Sequence, residues 1–280
     1  DHPQPEGGEA FEQKLLQSWH DDSQHQLAAL TPSDTIGWKS YRHVVGGALA
    51  TIIGRELPDA KHILYERTTK ADRGSYIEIV GRVRNRLHQE ELPVAFFHPK
   101  NWDGRVVIWA DPAGKQALYG PNGEPRDDVN RLLSAGMSIV GVDLLQQGEF
   151  LNDGKPHQRA RKVANPREAA AYTFGYNHAL FAKRVHDLLT MIVFVRNHEE
   201  QPKAVYLVGL NGAGPWVAAA RAQAGSQVTR AAIDSQKFRF GQVAGLLDPA
   251  FLPGGAKYGD LPGFLSLSAP HALWLCGEGP

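Results

Sequence analysis

Apolar residues recur at helical spacing from the start of the chain: Phe11, Leu15, Leu16 and Trp19, extended by Leu27 and Leu30. A second helical stretch is predicted over 41–53 and stops at Gly54. Three stretches at strand spacing follow, 62–69, 76–87 and 92–98, joined by short polar turns, and they predict an antiparallel set. Beyond them the apolar runs become short and continuous: RVVIWAD, MSIVGVD, AVYLVGL, RAAID and HALWLCG. Helical segments fall between them near 127–134, at 178–196, with Leu180, Phe181, Val185, Leu188, Leu189, Ile192 and Val193 as its inner side, and from Pro215 onward. Continuous apolar strands alternating with helices imply a parallel sheet covered on both faces. The intervening stretches 144–174 and 241–268 are polar or loop-rich.

Composition narrows the function classes. The chain has 280 residues, 42% of them hydrophobic, enough for a sizeable core. Lys plus Arg and Asp plus Glu both number 30, so the net charge is zero. That balance lacks the basic field that nucleic acid or an anionic membrane would attract. No apolar run approaches the roughly 20 residues of a membrane span. The single cysteine, Cys276, excludes an internal disulfide framework. The chain starts at Asp1, and DHPQPEGGE reads as a flexible leader. Signal removal would put the protein in a secreted or periplasmic location, whereas a domain boundary would say nothing of compartment. The expected organisation is a helical lead over 1–60 and one α/β domain over 61–280.

The stretch VYLVGLNGAGPWVAAARA carries the candidate chemistry. It reads as a buried strand, a glycine-rich turn and a helix of small residues, with Pro215 in the first helical turn, where its missing N–H costs nothing. Gly209-Leu210-Asn211-Gly212-Ala213 keeps the frame G-x-S-x-G with two departures, Asn for Ser and Ala for the final Gly. FFHPKNWDGRVVIWADPAGK, LLSAGMSIVGVDLLQQGE and KYGDLPGFLSLSAPHALWL surround it in a fixed order over about 92–277. Together these segments make the chain resemble the α/β-hydrolase superfamily, in its dienelactone-hydrolase and acetyl-xylan-esterase branch. The resemblance implies an α/β-hydrolase fold: a mostly parallel central sheet, helices on both faces and antiparallel strands at the start, after the helical lead. It also implies a last strand and helix that this sequence does not contain.

In that family a serine at the turn attacks an ester carbonyl, a histidine takes its proton and a carboxylate orients the histidine. Asn211 occupies the nucleophile position, but its amide nitrogen has a delocalised lone pair. Asn tolerates positive φ better than most residues, so Asn211 is expected to keep the turn without the chemistry. Deamidation at Asn211-Gly212 would place an aspartate there. The family's histidine follows the last strand, whereas the last histidine here, His271, precedes HALWLCG. Glu278 falls at the acid position. Asp234, ending RAAID, is a second acid candidate, with a cap or turn role as the competing reading. Backbone N–H groups of Gly212 and Ala113, the latter in the loop 111–114, are the expected oxyanion donors.

The resulting expectation is an esterase-type domain that is catalytically silent. Its possible partners are a small ester or carbohydrate ligand and a companion hydrolase domain, and it needs no cofactor or metal. Three alternatives stand beside it. One is an active carboxylester hydrolase that borrows a histidine such as His157 or His178. Another is a carbohydrate- or ester-binding module. The third is a dinucleotide-binding protein built on Gly209, Gly212, Gly214 and Asp234, whose spacing is G-x-x-G-x-G rather than G-x-G-x-x-G. Among the remaining polar residues, His20 and His25 with Asp21 and Asp22 read as a solvated helix face. His186 and Asp187 read as satisfied contacts on the long helix. Arg159, Arg161, Lys162 and Arg167 read as a solvated basic loop.

Overall fold

The computed structural model describes residues 7–164 and 170–278. An eight-stranded sheet runs through the molecule in the order β1-β2-β3-β5-β4-β6-β7-β8. The first three strands, β1 (Ile63–Asp72), β2 (Tyr76–Asn85) and β3 (Glu90–Pro99), form the antiparallel start. β3 also pairs antiparallel with β5 (Ser138–Val142). From β5 the pairing is parallel, through β4 (Arg105–Ala110), β6 (Ala204–Gly209), β7 (Arg230–Asp234) and β8 (Ala272–Cys276). This is the α/β-hydrolase fold. The antiparallel lead-in distinguishes it from a doubly wound dinucleotide-binding sheet with the strand order 3-2-1-4-5-6.

Eight α-helices surround the sheet among the described residues: α1 (Gly8–Ala29), α2 (Thr35–Tyr41), α3 (Gly47–Ile53), α4 (Asp127–Ser134), α5 (Ala170–Phe174), α6 (Leu180–Arg196), α7 (Gly214–Ala224) and α8 (Asp260–Ser266). Strand alternation divides the core in two. Val106, Ile108 and Ala110 of β4 face a large cluster with α3, α6, α7 and α8, while Val107 and Trp109 face a smaller one with Val129 and Leu133 of α4. The middle strands are buried on both faces, which is why RVVIWA and SIVGV are unbroken apolar runs.

The N-terminal helices behave differently from one another. α2 opens on Asp34, whose carboxylate accepts the Gly37 N–H at 2.7 Å. It continues through a wider π turn, Arg42–Gly46, into α3, which stops at Gly54 with φ 76°. Val45, Leu49 and Ile53 are fully buried in the large core, and the Tyr41 hydroxyl donates to the Gly263 carbonyl within α8 at 3.2 Å. α1 buries no residue, and its Phe11, Leu16 and Trp19 face outward.

One helix departs from the amphipathic expectation. α6 is not divided into an inner and an outer side; Arg184, His186, Asp187 and Thr190 are as buried as its leucines. It lies between the sheet, α3 and α7, so nearly every face meets protein. At the far side of the sheet, β8 is an edge strand that exposes Trp274 and Leu275. Among the described residues no helix is long and apolar enough to cross a membrane.

Candidate functional site

β6 ends at Gly209, and the chain turns through Asn211 and Gly212 into α7. Asn211 has φ 55° and Gly212 φ 105°, so two consecutive residues are left-handed. Asn and Gly are the residues that accept this conformation at least cost. The turn is also closely packed. A Cβ at Gly209 would lie 2.7 Å from Val217, and one at Gly214 would run into the Asp234 carbonyl. Small residues at these positions let α7 descend directly onto β6 and β7.

The loop after β4 meets this turn. Asn211 donates from Nδ2 to Asp111 Oδ2 at 2.8 Å, and Asp111 Oδ1 accepts the Ala113 N–H at 3.0 Å. Asp111 is 4% exposed. The Ala113 N–H, expected to be an oxyanion donor, is thus engaged by a carboxylate of the chain itself. Among the described residues no acceptor takes the Gly212 N–H, and Gly212 lies against the Pro112 ring. Beneath the loop, Asp143 is fully buried and accepts from the Lys115 N–H, the Glu149 N–H and Lys115 Nζ. Asp143 therefore pins Lys115 and the 3₁₀ turn Gly114–Leu118 under the site.

Both acid candidates already have partners in the chain. Glu278 pairs with Arg239 at 2.5 Å, and hydrogen bonds from Arg239 and then Ser235 hold its carboxyl below the usual range. Asp234 accepts the Gln236 N–H at 3.2 Å and lies directly beneath Gly277, which has room for no side chain. The bond to Gln236 closes a local turn after β7. Gln236 and Lys237 both have positive φ, so the chain after β7 wraps back toward the turn. A shallow cleft of about 300 Å³ results, lined among others by Gly212, Pro215, Gln236, Lys237, Arg239 and Asp248.

The described histidines lie elsewhere. His271 precedes β8, so it occupies the edge of the parallel sheet opposite to Asn211, which follows β6. His178 meets the His186 ring edge-on at 5.0 Å and packs against Gly54. His157 is exposed in the loop after β5, as are Arg159, Arg161 and Lys162; Arg167 lies outside the described residues. His20, His25, Asp21 and Asp22 face outward on α1.

The most displaced ionisations belong to α6. Burial raises Asp187 to about 8, while the Leu145 N–H donates to it at 2.7 Å. Burial lowers His186 to about 3, although its Nε2 contacts the Ile53 carbonyl at 2.6 Å. That carbonyl is an acceptor only, so Nε2 carries the proton and Nδ1 is left with no described partner. Arg184 is lowered to about 10 by burial and stacks 4.5 Å above the Trp216 ring. Sequence reasoning identified the turn but missed the Asp111–Asn211 pair and the Arg239–Glu278 pair. DPAG after a strand is a turn signal, which makes the Asp111 contact to Ala113 legible; nothing local points to residue 211.

Comparison with known proteins agrees with the fold. No protein-family model matches the chain, and no curated protein does. Among solved structures, a Bacteroides fragilis protein assigned as an acetyl xylan esterase aligns over 89% of this chain and 72% of its own, with TM-score 0.60 and 11% identity. A promiscuous CE15 esterase from a marine bacterial metagenome aligns over 87% of this chain and 74% of its own, with TM-score 0.58 and 9% identity. The chain therefore has the fold of α/β-hydrolase esterases, at a sequence distance where the fold alone is shared.

Proposed function

We propose that this protein is an esterase-type α/β-hydrolase-fold domain in which the turn at residue 211 is the former nucleophile elbow and hydrolysis is lost. One observation carries the reading: the residue at the elbow is an amide hydrogen-bonded to a buried carboxylate, Asp111. The amide nitrogen's lone pair is delocalised into its own carbonyl, so it is a poor nucleophile, and no described histidine contacts it. Without a nucleophile and a base, the two steps that acyl transfer needs cannot start. The cleft beside Gly212, with Gln236, Lys237 and Arg239 at its rim, supports retention of a small ester or carbohydrate as a bound ligand rather than a substrate. On this reading the helical lead 1–60 is part of the scaffold of the domain 61–280, through Val45, Leu49 and Ile53.

The test is hydrolysis of p-nitrophenyl acetate by the purified chain against a heat-treated control. The expected rate equals the control. Turnover that vanishes in Asn211→Ala would overturn the reading and make residue 211 a working catalyst.

A further inference from the structure

Where α6 ends, the antiparallel part of the sheet is left partly uncovered. Ile77, Ile79, Phe96 and His98 of β2 and β3, with Phe194 of α6 and Trp102, line a cleft of about 570 Å³ there. That size falls within the roughly 300–1,000 Å³ of small-molecule sites. Val106 of β4, Ser138 of β5 and Pro202 before β6 border it, so it lies at the opposite end of β6 from the turn 209–214. It shares no lining residue with the cleft beside Gly212. Its aromatic rings are half-buried and fixed. Phe96 and Phe194 sit 5.9 Å apart, Trp102 sits 5.3 Å from the His98 ring, and the Trp102 indole N–H donates to the Arg105 carbonyl at 2.9 Å.

Two rims of opposite charge flank these rings. Arg67 and Lys70 come from β1. Strict strand alternation puts residues three apart on opposite faces. A bulge between Arg67 and Thr69 shifts the register, so that Arg67 lies opposite Gly81 and Lys70 opposite Ile79, and both cations face the cleft. Glu199 and Glu200 come from the loop after α6. All four are exposed, and none is ion-paired among the described residues. His98 stands between the rims and feels both the Glu200 and the Lys70 charge. Burial is the larger influence on it and lowers its ionisation, which keeps the ring neutral. Ser138 Oγ donates to the Phe97 carbonyl at 3.3 Å, so His98 Nδ1, at 3.2 Å, donates to that hydroxyl and Nε2 remains an acceptor with no described partner.

We propose that this cleft binds a small aromatic zwitterion, of the class of a free aromatic amino acid. Its ring packs among Phe96, Trp102 and Phe194, its carboxylate turns to Arg67 and Lys70, and its ammonium turns to Glu199, Glu200 and His98 Nε2. Each part of the cleft selects one part of the ligand. The rings take an apolar planar body, favouring edge-on or offset contact. The unpaired cations take a carboxylate, and the unpaired carboxylates with a neutral imidazole acceptor take an ammonium. A ligand with one charge leaves the other rim unmatched. The proposal goes beyond the reading of the turn at 211 and stands whether or not the chain hydrolyses esters.

The experiment titrates ¹⁵N-labelled protein at pH 7.5 with L-phenylalanine, phenylacetate and phenethylamine at equal ionic strength. The Trp102 indole N–H and the backbone amides of Phe96 and His98 should shift saturably with L-phenylalanine, while the Gly212 amide stays in place. L-Phenylalanine should bind about tenfold or more tighter than either single-charge analogue, the scale of one charge-assisted contact. Two variants at exposed positions test the rims. Arg67→Gln with Lys70→Gln should weaken L-phenylalanine about tenfold and leave phenethylamine unchanged. Glu199→Gln with Glu200→Gln should weaken L-phenylalanine similarly and leave phenylacetate unchanged. The absence of a saturable shift at these residues, equal binding of the three compounds, or shifts confined to Gly212 would overturn the proposal on wild type alone. Folded variants of both rims that bind L-phenylalanine as wild type does would overturn it as well.

Discussion

The turn 209–214 and the middle of α6 make an instructive pair. Both involve buried polar groups, since the exposed Asn211 holds the buried Asp111 and α6 buries its own, and they approach each other where Arg184 stacks on Trp216, two residues into α7. At the turn the backbone is unusual and the side chains are quiet: left-handed Asn211 and Gly212, glycines that admit no Cβ, and one neutral amide on one carboxylate. On α6 the backbone is an ordinary helix and the side chains are displaced, with Asp187 near 8 and His186 near 3. Perturbed ionisation is often a guide to active sites, but structural burial perturbs it equally well. Here the largest cause is desolvation at both α6 residues, and neither reaches the cleft at Gly212. The hydrolase resemblance lies in backbone geometry, and the strongest electrostatics lie in packing.

The contrast can be broken most severely at the turn's backbone. Gly214→Val should cost more than about 3 kcal/mol, because the added side chain meets the Asp234 carbonyl rather than a flexible side chain that could move aside. Urea denaturation followed by circular dichroism would read it. A variant as stable as wild type would mean that α7 does not press on β7 as described.

Next in size is the pH dependence from α6. The folded-state value of Asp187 lies above its unfolded value, so its contribution is fully present below about pH 4 and is lost as pH rises toward 8. Between pH 5 and 8.5 the loss is on the order of 4 kcal/mol at most. Asp187→Asn should flatten this slope and gain stability over wild type at pH 8.5. His186 works in the opposite direction. Its folded value is depressed, so its contribution is present above about pH 6.5 and falls away as pH drops toward 3. His186→Gln keeps a donor for the Ile53 carbonyl and should remove the acid-side loss. Denaturation midpoints across pH 3 to 9 test both; parallel curves for wild type and either variant would show that burial does not displace that group.

Smaller effects belong to the turn's side chain. Asn211→Ala should cost about 2 kcal/mol, from a lost hydrogen bond to a charged group and from an alanine forced to positive φ. Asn211→Gly relieves the second cause and should cost about half as much. Equal losses would mean that conformation contributes nothing and the Asp111 contact everything. Smallest of all, Lys100→Ala removes an exposed pair with Asp72 at 2.8 Å and should leave the midpoint where it is. A clear fall would reveal a role for the β1–β2 hairpin tip that its exposure does not suggest.

Hydrophobic spacing by itself determined where most elements lie. α4 at Asp127–Ser134 and β7 at Arg230–Asp234 match the stretches expected from pattern alone, and Gly54 and Pro215 bound their helices as their backbone chemistry demands. Positive φ at Asn211 was legible for the same reason: turn, strand and helix are set by sterics within a few residues. Only the tertiary structure decided what those elements meet. The α6 pattern suggested one inner side, but sheet, α3 and α7 enclose Arg184, His186 and Asp187 as well, because burial depends on neighbours that arrive from elsewhere in the chain. Asp111 and Asn211 are one hundred residues apart. They touch because β4 and β6 are adjacent parallel strands, Ala110 opposite Gly209, so their C-terminal loops emerge side by side. Local periodicity carries no term for that adjacency. The sequence could put an asparagine at the apex of the turn, and the strand order had to say which carboxylate holds it.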